Sequence, residues 1–390
     1  MQKTESVSST RFRKIRGGLD RAVKQADERR LQELFIVDCD AHQQEFYSSF
    51  VKRVDKKFRG RIKLVDPEND PMVSKQSEVQ RGSSLYGFRV KRTEITYPKQ
   101  QRPGEIVDEF SRRMVEIGIK RSLVLPNMIL HLPMDPREPE FEVEVARAYV
   151  HYMLDNFLGK YPEILTAIYV PTRAPEKAAE LIDDVGKEKG IVGILISGIT
   201  PRAMGTDDWN PIYEAAQQKD LPVCVHGESF HAEEKGWIFG DFGFMGTHAL
   251  AFPFLLARHI TSAILDGLPE RFPRLKLCFM EGGITYIPWL MQRLDDDYVK
   301  RRHEAPLLRK LPSEYMNEFY YTTQPLEGAH KNTLESFFRM FDSENRLVYA
   351  SDYPHWDFDA PSVVYDLPFL SFEAKKKILG ENAAKLFKIS

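Results

Sequence analysis

The chain has 390 residues, 42% of them apolar and 12% aromatic, enough for a sizeable core in one large domain or two. Its 55 basic and 57 acidic residues leave a formal net charge of −2, which argues against a general attraction to nucleic acid or to anionic membranes. No apolar stretch reads as a membrane span. The three cysteines, Cys39, Cys224 and Cys278, lack zinc-finger spacing and point to reduced core thiols in a cytoplasmic protein.

Residues 1–33 carry many basic side chains, among them Arg11, Arg13, Lys14, Arg16, Arg21 and Lys24, and few apolar anchors. They are expected to form a solvated, partly helical arm, able to lie on a neighbouring subunit of a homo-oligomer. Residues 34–390 then read as a single domain. Leu34-Phe35-Ile36-Val37 is a buried strand that runs into Asp38-Cys39-Asp40-Ala41-His42. In an extended chain residues two apart point to one side, so Asp40 and His42 leave the strand together. Such a pair supplies the first two ligands of a divalent cation, or else a plain Asp–His hydrogen bond. Residues 51–104 are rich in Lys, Arg, Gln and Ser and read as a long insertion, either a charged surface loop or a lid.

From there the chain alternates. Strands are expected at 121–126, 165–170 and 191–196, with helices at 141–158, 174–186 and 209–219. A strand at 221–226 ends on His226, one at 275–281 ends on Glu281, one covers 319–323, and one at 346–352 ends on Asp352 with His355 just beyond. Repeated strand–helix units imply parallel strands and right-handed crossovers. Eight of them point to a closed (β/α)8 barrel, with a doubly wound open sheet as the alternative. Barrel strand ends face one mouth, so Asp40, His42, His226, Glu281 and Asp352 should meet there. His131 follows the second strand. His231, Trp237 and His248 fall in an aromatic loop after the fifth strand, where they could wall a substrate or merely cover the rim. His259 reads as a core or boundary residue.

Asp38-x-Asp40-x-His42, strand-end His226, Gly267-Leu268-Pro269-Glu270-Arg271-Phe272-Pro273, Glu281-Gly282-Gly283, Ser351-Asp352-Tyr353-Pro354-His355 and the closing Ile378-Leu379-Gly380-Glu381-Asn382 together resemble the amidohydrolase-related group of the amidohydrolase superfamily. The resemblance covers about residues 34–390 and is strongest from 221 onward. It implies a TIM barrel with a metal held by Asp40, His42, His226 and Asp352, where Asp40 stands in place of the family's first histidine. No lysine in the fourth strand offers a bridge between two ions, so the resemblance implies one divalent ion per chain: zinc first, manganese or iron as alternatives. The group includes both hydrolases and nonoxidative decarboxylases. Where the decarboxylases carry a sixth-strand histidine, this chain carries Glu281.

That departure favours a hydrolase using metal-activated water on a C–N or C–O bond of a small cyclic or acyl compound. Asp352, Glu281 and His355 are then the candidates to move protons, and His248, His231, Trp237 and His131 the candidates to contact substrate. The alternatives are a nonoxidative decarboxylase of an aromatic or related acid on the same metal site, and a catalytically silent barrel used for binding.

Overall fold

The computed structural model describes residues 18–43, 50–61, 103–127, 129–130, 138–228, 244–328, 330–353, 355 and 357–390. Eight parallel strands pair in chain order: β1 Ile36–Gln43, β2 Ile119–Pro126, β3 Ile164–Tyr169, β4 Ile191–Ser197, β5 Val223–His226, β6 Leu277–Met280, β7 Tyr320–Thr322 and β8 Leu347–Val348. Every residue of β3 through β8 is buried. This is what a parallel sheet covered by helices on one face and closed on itself at the other requires. β8 is short, and the seam back to β1 is made by single contacts. Cys39 N–H donates to Tyr349 O (2.9 Å), His42 N–H to Tyr353 O (2.7 Å) and Asp352 N–H to Asp40 O (2.7 Å).

The barrel is wrapped by α2 Pro103–Glu116, α3 Pro139–Asn156, α4 Pro175–Val185, α5 Asn210–Lys219, α6 Phe244–Leu265, α7 Tyr286–Arg301 and α8 Lys331–Arg339. Several begin with proline in the first turn, where its fixed φ and missing N–H carry no penalty. Met245–Leu265, within α6, is long and apolar enough to cross a membrane by length and composition, which the sequence reading did not anticipate; half of it is buried inside the protein. All three cysteines are free and buried within strands.

Two sequence expectations change. From Gly18 the arm is not a solvated extension: α1 Gly18–Arg29 buries Ala22 and Ala26 against its own barrel, and Leu31 follows them inside. Arg29 grips Asp366 through two hydrogen bonds of 2.6 and 2.7 Å, and Ser362 Oγ donates to Gln25 (2.9 Å). Spaced small residues gave the sequence reading too weak an apolar signal there. The insertion also opens inside the core, since Phe50, Val54 and Phe58 are buried and Phe58 meets Phe141 of α3 edge to face. The lid expected within 51–104 lies largely outside the described residues.

Gly380 explains the closing motif. It sits in a π-helical turn, Lys377–Glu381, and a Cβ built there would fall 1.8 Å from the carbonyl oxygen of Phe35, just before β1. Backbone cannot retreat as a side chain can. Gly380→Ala should therefore destabilise the fold by about 1–3 kcal/mol or more, the range for overpacking. Equilibrium urea denaturation measures this, and an unchanged midpoint would contradict the close approach.

Candidate metal centre and active site

β1 continues past its apolar run, so Asp40 and His42 both stand inside the strand at the mouth, 0% and 2% exposed. β6 ends one residue before Glu281, which turns into the left-handed region (φ 58°), and Asp352 beyond β8 does the same (φ 56°). Such backbone is uncommon for side-chain-bearing residues and needs its surroundings to hold it. Glu281 N–H donates to Thr322 Oγ1 (2.9 Å), and Asp352 N–H to Asp40 O. The two carboxylates thereby reach His226 and His42 respectively.

The donors converge. His42 Nε2 lies 3.3 Å from Asp40 Oδ1, from Asp352 Oδ1 and from His226 Nε2. His226 Nε2 lies 3.4 Å from Asp40 Oδ1 and 3.1 Å from Glu281 Oε2. Close as they are, neither carboxylate oxygen of Asp40 makes a hydrogen bond among the described residues. A fully buried carboxylate in that state is costly. Two ring nitrogens that face one another across 3.3 Å likewise need a shared proton or cation between them. Neighbouring donors held about 2.1 Å from one ion stand roughly 3.0–3.4 Å apart, which is the spacing found. Two groups meet the requirements for holding a metal, Asp40–His42–His226–Glu281 and His42–Asp352–His355. The donor set therefore fits a divalent ion.

Surrounding contacts aim these side chains. His42 Nδ1 sits 3.1 Å from the Pro126 carbonyl, a contact that leaves Nε2 to face the cluster when Nδ1 carries the proton. His355 Nδ1 bonds Asp352 Oδ1 at 2.5 Å and its ring stacks on His42 at 4.5 Å, while its Nε2 has no hydrogen-bond partner among the described residues. Gln324 Nε2 donates to Asp352 Oδ2 (3.4 Å). Asp38 accepts from Ser351 N (2.8 Å), Ser351 Oγ (2.6 Å) and Asp40 N (3.2 Å).

The electrostatics run the same way. Burial, then the charges of Asp352, Asp40, Glu228 and Asp357, raise the Glu281 carboxyl well above its ordinary value. Burial opposes a charged His42, but Asp352 and Asp40 raise it well above the usual histidine range. For Asp40 and Asp352 burial is outweighed by His226 and His355 respectively, and both are lowered. Burial pushes Asp38 up to about 7 against the pull of its three donors. Carboxylates are in surplus throughout this desolvated volume.

Beside Glu281 lies a cavity of ≈240 Å³, walled by His248, Phe252, Pro253 and Pro325. His248 belongs to α6 and not to a loop; its Nε2 is 3.1 Å from Asp357 Oδ2. His131, His231 and Trp237 lie outside the described residues. Sequence reasoning missed Asp38, Gln324 and Asp357. Gln324 could have been found by applying the strand-end rule to β7.

A closed α/β barrel with a carboxylate–imidazole cluster at its C-terminal strand ends defines the class. The chain belongs to the amidohydrolase family, whose model matches residues 37–389. The gamma-resorcylate decarboxylase of a Rhizobium species is 22% identical over 305 residues, covering 74% of this chain and 92% of its own length. The crystal structure of 5-carboxyvanillate decarboxylase from Sphingomonas paucimobilis is similar with a TM-score of 0.66 at 21% identity, covering 92% of this chain and 100% of that one. Dihydroxybenzoic acid decarboxylase from a Polaromonas species, solved with manganese and 2-nitroresorcinol, gives 0.65 at 20% identity, covering 91% and 97%. These relatives overturn the hydrolase expected from the sequence. The departure at Glu281, which had weighed toward hydrolysis, is a single position set against similarity over 305 residues.

Of the core and boundary positions that its sequence neighbours allow, His259 takes the core one, at 0% exposure. It lies parallel to Trp209 at 6.5 Å, and its Nε2 is 2.9 Å from Gly198 O. Burial, with Arg258 beside it, pushes its pKa down to about 4. The unfolded chain takes up this proton near pH 6.5 and the folded one does not, so His259 makes stability fall as pH drops from about 6.5 to about 4. The span is worth about 3 kcal/mol. His259→Phe keeps a ring on Trp209 and should flatten that part of the pH–stability curve. A variant curve parallel to wild type from pH 7 to 4.5 would refute it.

Proposed function

We propose that this protein is a metal-dependent nonoxidative decarboxylase of a small aromatic carboxylic acid. The observation that carries the reading is the buried meeting of Asp40, His42, His226 and Glu281, joined through His42 to Asp352, with neither carboxylate oxygen of Asp40 hydrogen-bonded among the described residues, in a chain whose curated relatives include gamma-resorcylate decarboxylases. These four residues would hold the ion. We favour manganese over the zinc expected at first, because Asp40 in place of an imidazole makes the donor set oxygen-rich and the Polaromonas relative holds manganese. When bound, the ion supplies positive charge for the substrate's carboxylate and for charge spread into the ring. The three free, buried thiols accord with a reducing, cytoplasmic setting.

The chain's own residues account for the rest. The bond between ring carbon and carboxylate breaks, its electron pair stays on the ring carbon, a proton is added there, and carbon dioxide leaves. No oxidant is needed. The proton is handled by His355 and Asp352, joined at 2.5 Å, with the unpartnered Nε2 of His355 as the atom that donates it. Phe252, Pro253 and Pro325 give the cavity apolar walls for a ring, and His248, backed by Asp357, offers a polar contact for a ring hydroxyl.

The reading is tested by incubating manganese-loaded protein with 2,6-dihydroxybenzoate and 5-carboxyvanillate in D2O. Carbon dioxide release, with one deuterium placed where the carboxylate stood, is expected. No release from either acid or from a wider panel of hydroxybenzoates would sink it. His226→Ala should fold by circular dichroism and lose both metal and turnover. His355→Gln should keep the metal and lose about 10²–10⁴ in turnover; near-normal turnover would remove His355 from proton transfer.

A further inference from the structure

We infer that Glu281 is itself a ligand of the ion, a fifth protein donor beside Asp40, His42, His226 and Asp352. This rests on the reading that the cluster holds a divalent ion. It extends the ligand set implied by the resemblance, and it gives Glu281 a task other than carrying a proton.

Position argues first. The Glu281 side chain is 6% exposed, its Oε2 is 3.1 Å from His226 Nε2, and it has a donor atom mutually within 4.8 Å of ligand atoms of Asp40, His42 and His226. The 3.1 Å separation is as short as that between any pair in the cluster apart from the His355–Asp352 hydrogen bond. The backbone is committed to this placement: a left-handed turn at φ 58°, pinned by the N–H bond to Thr322, followed by Gly283 at φ 67°. A Cβ at Gly283 would fall 2.8 Å from the Glu327 carboxylate, which caps the start of α7 by accepting from Ile284 N and Thr285 Oγ1. The turn that aims Glu281 is therefore built and braced.

Charge argues second. Among the described residues no Arg or Lys forms an ion pair with Glu281; its ion-pair contact is with His226. Among the described residues, a buried carboxylate facing Asp40, Asp352, Glu228 and Asp357 has no partner beyond His226 to offset its desolvation. Ligation by the cation supplies that partner.

The count of donors argues third. Four protein ligands complete a tetrahedral zinc site, the closed arrangement of structural zinc. Five donors, three of them carboxylates, suit a six-coordinate, oxygen-preferring ion such as manganese, with one place left for substrate. Glu281 thus selects the ion as well as holding it.

The test uses full-length protein stripped of metal and then titrated with Mn2+ and with Co2+, whose visible absorption strengthens as its coordination number falls. Glu281→Gln should weaken Mn2+ binding by about 100-fold or more, beyond what loss of an outer contact brings, and should strengthen the Co2+ bands. Glu281→Asp keeps the charge but shortens the reach, and should also alter the Co2+ spectrum. It provides the measurement if the Gln variant fails to fold. Co2+ spectra identical to wild type in the folded variants would overturn the ligand assignment, whatever the affinities. No substrate enters these titrations. Absence of carbon dioxide release would sink the decarboxylase reading and leave this one standing, and unchanged spectra would do the reverse.

Discussion

Asp38 takes two hydrogen bonds across the seam where the barrel closes, from the backbone and hydroxyl of Ser351, and a third within its own strand from the backbone of Asp40. β8 contributes only Leu347 and Val348 to the ladder, so ordinary strand pairing cannot by itself fix where the chain goes next. The charge-assisted bonds of Asp38 do that work. Ser351 is held against β1, its Oγ in turn accepts from Tyr353 N–H (3.0 Å), and Asp352 between them is delivered to the mouth. Asp40 hangs from the same carboxylate on the other side. The two acidic groups that face His42 are therefore set by one buried group that does not itself join the cluster.

This arrangement reverses the usual order of stability and function. A desolvated cluster with more carboxylates than cations opposes folding. The barrel absorbs that cost through its continuous apolar interior, where β3 to β8 are buried along their whole length. The left-handed turns at Glu281 and Asp352 add local strain in the same few residues. Strain and like charge both gather at the strand ends, and a cation bound there would offset the like charge.

The architecture was legible in the sequence because parallel barrel strands are short apolar runs with few competing readings, and their polar ends fall where the runs stop. Asp40, His42, His226, Glu281 and Asp352 were all visible for that reason. What was not legible is how an ending is used. The pattern marks a residue as being at the mouth, but the turn that makes Glu281 meet His226, instead of an arginine, depends on Thr322 from the next strand and Glu327 beyond it. Asp38 was hidden because a strand residue inside a motif reads as a spacer. The docking of α1 was hidden because Ala22 and Ala26 bury well while scarcely registering as apolar. The choice of reaction was weighed on one departure, Glu281, though a carboxylate can serve more than one chemistry at that place.

One consequence of the burial concerns time. Asp40, His42, His226, Glu281 and Asp352 are at most 5% exposed, and among the described residues the cavity beside Glu281 is the space that reaches them. An ion held among them would have to shed its water on the way in, so its exchange would be slower than at a surface site. With slow exchange, the ion found in a purified preparation would reflect the pool in which the barrel folded as well as the affinity of its side chains.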